Sequence, residues 1–217
     1  MLKAIIFDFD YTLGDSTNGI ALSINYALEQ LGHSKKDIED IKRTIGLSLK
    51  DTYFALTSRD NLDETEKFAK LFKEKADSIM VDNTELYEGV KDVLMKLKAR
   101  EYKLAIVTTK FHYRIEQILS KFEANELIDI VVGAEDVKFE KPNPEGLLWA
   151  IEHLEVTKEE VLYVGDSLVD AKTAENAKVK FAAVLTGTTT RKDFASYKSV
   201  CIGDNISDVY KYVLVRE

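Results

Sequence analysis

The sequence predicts an α/β protein built on a doubly wound parallel sheet, with a helical segment inserted early in the chain. Three observations carry this. Short apolar runs rich in β-branched residues recur along the 217 residues, helix-period apolar stripes lie between them, and the stretch from about Ser16 to Leu86 holds helical stripes but no strand-like run. Parallel strands buried on both faces read as continuous apolar runs, and their alternation with amphipathic helices gives a parallel sheet with right-handed crossovers.

In chain order the strand candidates are "AIIF" (4–7), "LAIV" (104–107), "IDIVV" (128–132), "VLYV" (161–164) and "FAAVL" (181–185), with a further short strand in "SVCIGD". The helices between them show apolar residues at helical spacing: Val90, Val93, Leu94 and Leu97, then Ile115, Ile118, Leu119 and Phe122, then Leu147, Leu148, Ile151 and Leu154. In the insert, Ile20, Ile24, Ala27, Leu28 and Leu31 form one stripe, and Phe68, Leu71, Phe72, Ala76 and Ile79 form another. The expected division is a sheet-bearing core of residues 1–15 and 87–217 and a helical segment of 16–86. Because the insert begins just after the first strand, it is expected over the carboxyl ends of the strands, where open α/β sheets bind ligands.

Composition narrows the function. Acidic residues outnumber basic ones by 38 to 30, a formal charge of −8, which argues against a nucleic-acid binder with its basic field. Cys201 is the single cysteine, so no disulfide forms within the chain; it reads as a small buried hydrophobe on its strand. With no apolar run long enough for a signal peptide or membrane span, a soluble cytoplasmic protein without a membrane partner is expected. His33, His112 and His153 have no partners at zinc-ligand spacing and read as solvated or locally bonded rings.

The strand ends carry the chemistry. "AIIFDFDYT" runs an apolar strand into Asp8, Asp10 and Thr12; "LAIVTTK" ends in Thr108 and Thr109; "VGDSLVD" places Asp166 and Asp170 after another strand. The carboxyl ends of neighbouring parallel strands share one crevice. Alternation along a strand puts Asp8 and Asp10 on the same side. So many like charges require a cation, and an oxygen-only set with room for water and phosphate suits Mg²⁺ better than a closed Ca²⁺ cage. Lys141, in "KFEKPNPEG", is the nearby positive charge if that loop folds back to the same edge. Helix capping accounts for Ser16 and Ser167, but not for four aspartates with Thr108 and Lys141 in this order.

These residues resemble the haloacid dehalogenase superfamily of phosphohydrolases. "DFDYT", Thr108 in "IVTTK", Lys141 in "EKPNPE" and "VGDSLVD" match its four motifs in order, and the insert is similar to its α-helical cap. The resemblance covers the whole chain and is to the phosphoglycolate phosphatase-like members, with a Rossmann-like core. It implies an aspartyl-phosphate mechanism in which Asp8 attacks phosphorus and Asp10 first protonates the leaving oxygen and then deprotonates the attacking water. It also implies Mg²⁺ held by Asp8, Asp166 and the backbone carbonyl of Asp10, with Asp170 as a further ligand or a support to the others. Thr108, Thr109 and Lys141 would hold the phosphoryl oxygens.

Asp10 points to phosphate esters, whose leaving group needs a proton, and Thr12 leans toward phosphatase over mutase. The implied activity is Mg²⁺-dependent hydrolysis of small phosphate monoesters, the implied partner a small phosphorylated metabolite, and the expected state a monomer or homodimer. A β-phosphoglucomutase-like phosphotransferase or a pyrophosphatase is the alternative enzyme reading, and a receiver-like phosphoaspartate switch the alternative outside enzymes. Tyr11 stands where the family usually has glycine, and its ring is expected to narrow the entrance to the site. In "TIGLSLKDTYFAL" Gly46 is the expected flexible point and Lys50 the expected contact to an anionic leaving group, with Arg43 and Arg59 as rivals.

Overall fold

The computed structural model describes residues 1–215. The chain forms two compact units, one of Met1–Asp15 with Leu86 onward and the other of Ser16–Glu85, a boundary one residue earlier than the 86/87 read from the sequence. It leaves the first unit after the two-residue strand β2 (Gly14–Asp15) and returns to it through β3 (Glu85–Leu86).

The first unit is built on six strands: β1 (Ala4–Phe7), β4 (Lys103–Val107), β5 (Ile130–Val132), β6 (Val161–Gly165), β7 (Lys180–Val184) and β8 (Ser199–Gly203). Their order is β5-β4-β1-β6-β7-β8 and every pairing is parallel. Ile5, Ile6 and Phe7, like Leu162, Tyr163 and Val164, are buried, as strands covered on both faces must be. The chain winds outward from β1 through β4 to β5, then returns to β1's other side for β6, β7 and β8. The sheet therefore reverses its winding at β1, the point where α/β sheets open a crevice for ligands.

Helices α5 (Val90–Lys98), α6 (His112–Lys121), α7 (Glu145–His153), α8 (Leu168–Ala177) and α9 (Ile206–Leu214) complete this unit. The expected stripes face inward: Val90, Val93, Leu94 and Leu97 are buried, as are Ile115, Ile118 and Leu119. On α8 the buried apolar residues are small, Ala171, Ala174 and Ala177, and they join Ile6, Val107, Leu147, Ile151, Tyr163 and Phe181 in one core. Cys201 departs from expectation. It is half-buried, because β8 is an edge strand with a neighbour on one side only.

The second unit consists of α1 (Thr17–Gln30), α2 (Ile38–Lys42), α3 (Leu49–Thr57) and α4 (Leu62–Ile79). Ile20, Ile24, Ala27 and Leu28 from α1 meet Phe68, Phe72 and Ala76 from α4, with Ile41, Tyr53 and Met80 closing the core. Gly19 lets α1 approach this closely, since a Cβ there would lie 2.8 Å from Met80 Sδ. Ser16 stands at the N-cap of α1 but makes no side-chain cap bond, contrary to the sequence reading; its hydroxyl is instead hydrogen-bonded with Thr84 Oγ1 at 2.9 Å, while the Thr84 hydroxyl donates to the Met80 carbonyl at 2.7 Å.

Candidate active site

Register brings the polar strand ends together. Phe7 lies opposite Ile106 on one side and Val164 on the other, so Asp8 follows one residue beyond this level and Thr108 and Asp166 two residues beyond it, all at the same edge of the sheet. The loop between β5 and α7 carries Lys141 to the same place. Its Nζ lies 2.8 Å from Asp8 Oδ1 and 2.7 Å from Asp170 Oδ1, and it donates to the Tyr163 hydroxyl at 3.2 Å. An ammonium has three donors, so all of Lys141's are engaged by protein oxygens.

Asp170 is held from both sides. Its Oδ2 accepts from the Ser167 backbone N–H at 3.1 Å while the Ser167 hydroxyl accepts from the Asp170 N–H at 3.2 Å, a capping box that opens α8. Its Oδ1 accepts from Lys141 and, at 2.9 Å, from the Tyr163 hydroxyl. Gly165 makes room for this arrangement, since a Cβ there would come within 2.4 Å of the Asp170 side chain.

Asp8, Asp166 and Asp170 each present a carboxylate oxygen within 4.8 Å of the others, the one such acidic cluster among the described residues. Thr12 Oγ1 donates to Asp166 Oδ1 at 3.4 Å. Burial pushes the Asp8 carboxyl up to about 7; Lys141 pulls against that rise, while Asp170 and Asp10 add to it. Burial also holds Asp166 well above the ordinary carboxylate range, with Asp170 and Asp8 adding to the effect. For Lys141, burial opposes the charge, but Asp170 and Asp8 outweigh it and hold the ammonium well above its usual value. The cluster thus carries more negative charge than Lys141 offsets. An oxygen-only, charge-deficient set of this kind fits a hard divalent cation.

Asp10 faces a different cation, one the sequence reading passed over. Lys110 Nζ lies 3.0 Å from Asp10 Oδ2, with both side chains at least nine-tenths buried. Lys110 stands two residues beyond Thr108 in the same "IVTTK" segment, which is the signal that was available. The segment is pinned by its backbone: Lys110 N–H donates to Thr108 Oγ1 at 3.3 Å, Lys110 C=O accepts from Ala134 N–H at 3.1 Å, and His112 N–H donates to Glu135 Oε2 at 2.8 Å. Thr108 is buried and Thr109 half-buried beside it. Gly133 permits the contact, because a Cβ there would lie 2.2 Å from His112 N.

Tyr11 takes φ +60°, so the turn after Asp10 keeps the left-handed backbone that glycine would supply, with a buried side chain in its place. Its N–H donates to Gly14 C=O at 2.7 Å and its C=O accepts from the Thr186 hydroxyl. The Thr186 loop also passes close to Asp166: a Cβ on Gly187 would sit 1.9 Å from Asp166 Oδ2. Nothing in the pattern "LTGTTT" signals that approach. In the helical unit, Gly46 has φ +93° and Lys50 is exposed in the first turn of α3.

Comparison with known proteins shows the family. The family model described as haloacid dehalogenase-like hydrolase matches residues 5–184. The pyrophosphatase PpaX of Bacillus cereus is 32% identical over 208 residues, covering 96% of this chain and 94% of that protein. Among solved structures, a haloacid dehalogenase-like hydrolase from Bacteroides fragilis superposes with a TM-score of 0.94 at 38% identity, covering 96% of this chain and 100% of that one. A predicted phosphoglycolate phosphatase from Haemophilus somnus superposes with a TM-score of 0.83 at 26% identity, covering 98% of each. The chain belongs to the haloacid dehalogenase-like hydrolases and is a phosphatase of that family. No helix among the described residues is long and apolar enough to cross a membrane.

Two outcomes follow from this packing. Burial lowers the His112 pKa, but the Asp136 and Glu116 carboxylates, 2.9 and 3.2 Å away, outweigh it and raise the folded-state value above 6.5. The stabilisation is therefore full below the unfolded-state pKa and is lost as pH rises through the folded-state one. His112→Gln should lower stability by about 1 kcal/mol or less in mildly acidic buffer and by nearly nothing at alkaline pH, read as urea midpoints across pH. Tyr163→Phe removes a buried partner of both Lys141 and Asp170, and should cost about 1–3 kcal/mol in the same measurement.

Proposed function

We propose that this phosphatase hydrolyses small phosphorylated metabolites through a phosphoaspartate on Asp8, with Mg²⁺ as its cofactor. The observation that supports it most directly is the convergence of Asp8, Asp166, Asp170 and Lys141 at the winding switch of the sheet, with Asp10 beside them. Asp8 and Asp166 are the proposed cation ligands, with the Asp10 carbonyl as a third. Asp170, whose oxygens already serve the α8 cap and Lys141, is proposed to bound the metal site and hold that lysine. A divalent cation bound there would offset the carboxylate charge and polarise a phosphoryl oxygen.

In the first half-reaction an Asp8 oxygen forms the bond to phosphorus, the bond to the leaving oxygen breaks, and Asp10 supplies that oxygen's proton. In the second, Asp10 takes a proton from water, water attacks phosphorus, and the Asp8–phosphorus bond breaks to release phosphate. Lys141 restrains the charge on Asp8 and lends its field to the phosphoryl oxygens. Thr108 accepts from the Lys110 N–H, which leaves its own hydroxyl proton to donate to a phosphoryl oxygen, with Thr109 next to it. Tyr11, Gly46 and Lys50 are proposed to act in choosing the substrate, Tyr11 as a ring that narrows the entrance.

The substrate reading is phosphoglycolate phosphatase-like, supported by the structural neighbour of that description. A pyrophosphatase is the second reading, favoured by curated relatives of that name at 32% identity. Membership in a hydrolase family speaks against the receiver-like switch, and no observation favours the mutase.

Phosphate release from a panel of esters and pyrophosphate should require Mg²⁺, stop on chelation and return on adding the metal back. Asp8→Asn should abolish turnover by at least about a thousandfold with the circular dichroism spectrum unchanged; release at near wild-type rate would remove Asp8 from its role. Asp10→Asn should slow both half-reactions by about a hundredfold or more, resolved by following burst and steady-state phases.

A further inference from the structure

Lys110 and Lys141 are both buried beside the proposed catalytic carboxylates, yet their hydrogen-bonding differs. Lys141 directs its three donors at Asp8, Asp170 and Tyr163. Lys110 meets Asp10 alone; no other acceptor for its ammonium is found among the described residues. The other oxygen of that carboxylate, Asp10 Oδ1, is also buried and has no hydrogen-bond partner. Buried polar groups are ordinarily satisfied, and a buried cation more so, because each unmet bond costs the desolvation of its group. Two open N–H donors beside one open carboxylate oxygen form a matched set. Such a set suits a group that brings negative oxygens to Lys110 and a proton, or a water, to Asp10.

The location specifies which part of a substrate this is. Asp10 is the proposed acid at the leaving oxygen, so a cation in contact with its carboxylate lies on the leaving-group side of phosphorus, while Lys141 lies on the nucleophile side with Asp8. We infer that Lys110 is a specificity-determining residue that selects substrates whose leaving group is itself anionic: the outer phosphate of a phosphoanhydride, or an alcohol bearing a carboxylate. This rests on the phosphatase reading above and narrows its substrate class. A neutral leaving group gains nothing from Lys110 beyond the orientation of Asp10. An anionic one takes up the two open donors, and its charge is met in a water-poor site where such contacts are strong.

The test uses the full chain with Mg²⁺ and compares kcat/KM of wild type and Lys110→Met on pyrophosphate, 2-phosphoglycolate and phenyl phosphate. The methionine keeps the length of the apolar stem and removes the charged head. Relative to the change on phenyl phosphate, the variant should lose about tenfold or more on at least one anionic-leaving-group substrate. Loss on pyrophosphate alone identifies an anhydride as the source of the charge, and loss on 2-phosphoglycolate alone a carboxylate. Equal losses on all three would mean that Lys110 only holds Asp10, and would overturn the inference. Should Lys110→Met fail to fold, calorimetric binding to wild type decides: methylenediphosphonate binding about tenfold or more tighter than phenylphosphonate supports the inference, and equal affinities overturn it. A wild type that releases phosphate from none of these substrates would instead count against the phosphatase reading, and the same calorimetric comparison would still decide the charge preference.

Discussion

The crowding of carboxylates at the carboxyl ends of β1 and β6 is the constraint on which the rest of this structure depends. Asp8, Asp10, Asp166 and Asp170 are buried together with Lys110 and Lys141, four acids against two bases, which leaves two formal negative charges. Breaking a buried pair by removing one partner strands a charge in a poorly solvated place, so each lysine contributes to stability as well as to the site. The two remaining charges match a divalent ion, and the raised Asp8 and Asp166 carboxyls show the same deficit from the side of the protons. The arrangement is therefore suited to exchange: a proton or a metal ion can supply what the protein's own cations do not.

The supporting structure places those charges with little slack. Tyr163 reaches up from the buried strand β6 with its hydroxyl at Asp170, Lys141 and the Val107 carbonyl, so one side chain ties three elements. Gly165 and Gly187 let a side chain and a loop come within contact of the carboxylates, where any Cβ would collide. On the other flank, the turn at 133–136 fixes the segment from Thr108 to His112, and so fixes where Lys110 starts. Sites that bind changing charge need such preorganisation, because reorienting groups during reaction would consume the stabilisation they provide.

Much of this could be read from the chain because strands buried on both faces show as apolar runs, and because the residues after them are polar in a fixed order. Asp8, Asp166 and Lys141 fall where "AIIFDFD", "VGDSLVD" and "EKPNPE" suggest, and the stripes at Ile20–Leu28 and Phe68–Ala76 form the core of the helical unit. What escaped is whatever depends on a partner distant in sequence. Lys110 was visible as a lysine, but its pairing with Asp10 follows from the register of β1 with β4, which no local pattern encodes. Tyr163 looked like one more apolar strand residue, because the pattern does not show where its hydroxyl ends. The sequence around Cys201 reads as buried because an edge strand and an inner one share the same local signal, and Ser16 reads as a cap because the competing hydroxyl, Thr84, lies at the far end of the insert.

Tyr11 shows how such a site accommodates a residue that local rules disfavour. A left-handed backbone costs a non-glycine residue about 1–2 kcal/mol. Burial of a large ring returns a similar or larger amount, about 1.5–3 kcal/mol for a Phe-sized side chain, so tyrosine is tolerated if its ring stays covered. The backbone around it is over-determined: Phe9 C=O accepts from the N–H groups of Leu13 and Gly14, Tyr11 N–H bonds to Gly14 C=O, and Thr186 holds the Tyr11 carbonyl. Strained backbone persists where its surroundings leave it no alternative, and such positions cluster at functional sites. Here the bond from Thr186 has a further effect. It joins the turn that follows Asp10 to the loop whose Gly187 lies against Asp166, so the left-handed turn sets the relation between the proposed acid and a proposed metal ligand. Glycine at this position would relax the turn and loosen that relation together, which is a physical reason for the chain to keep a rigid, buried aromatic where permissive backbone is the rule.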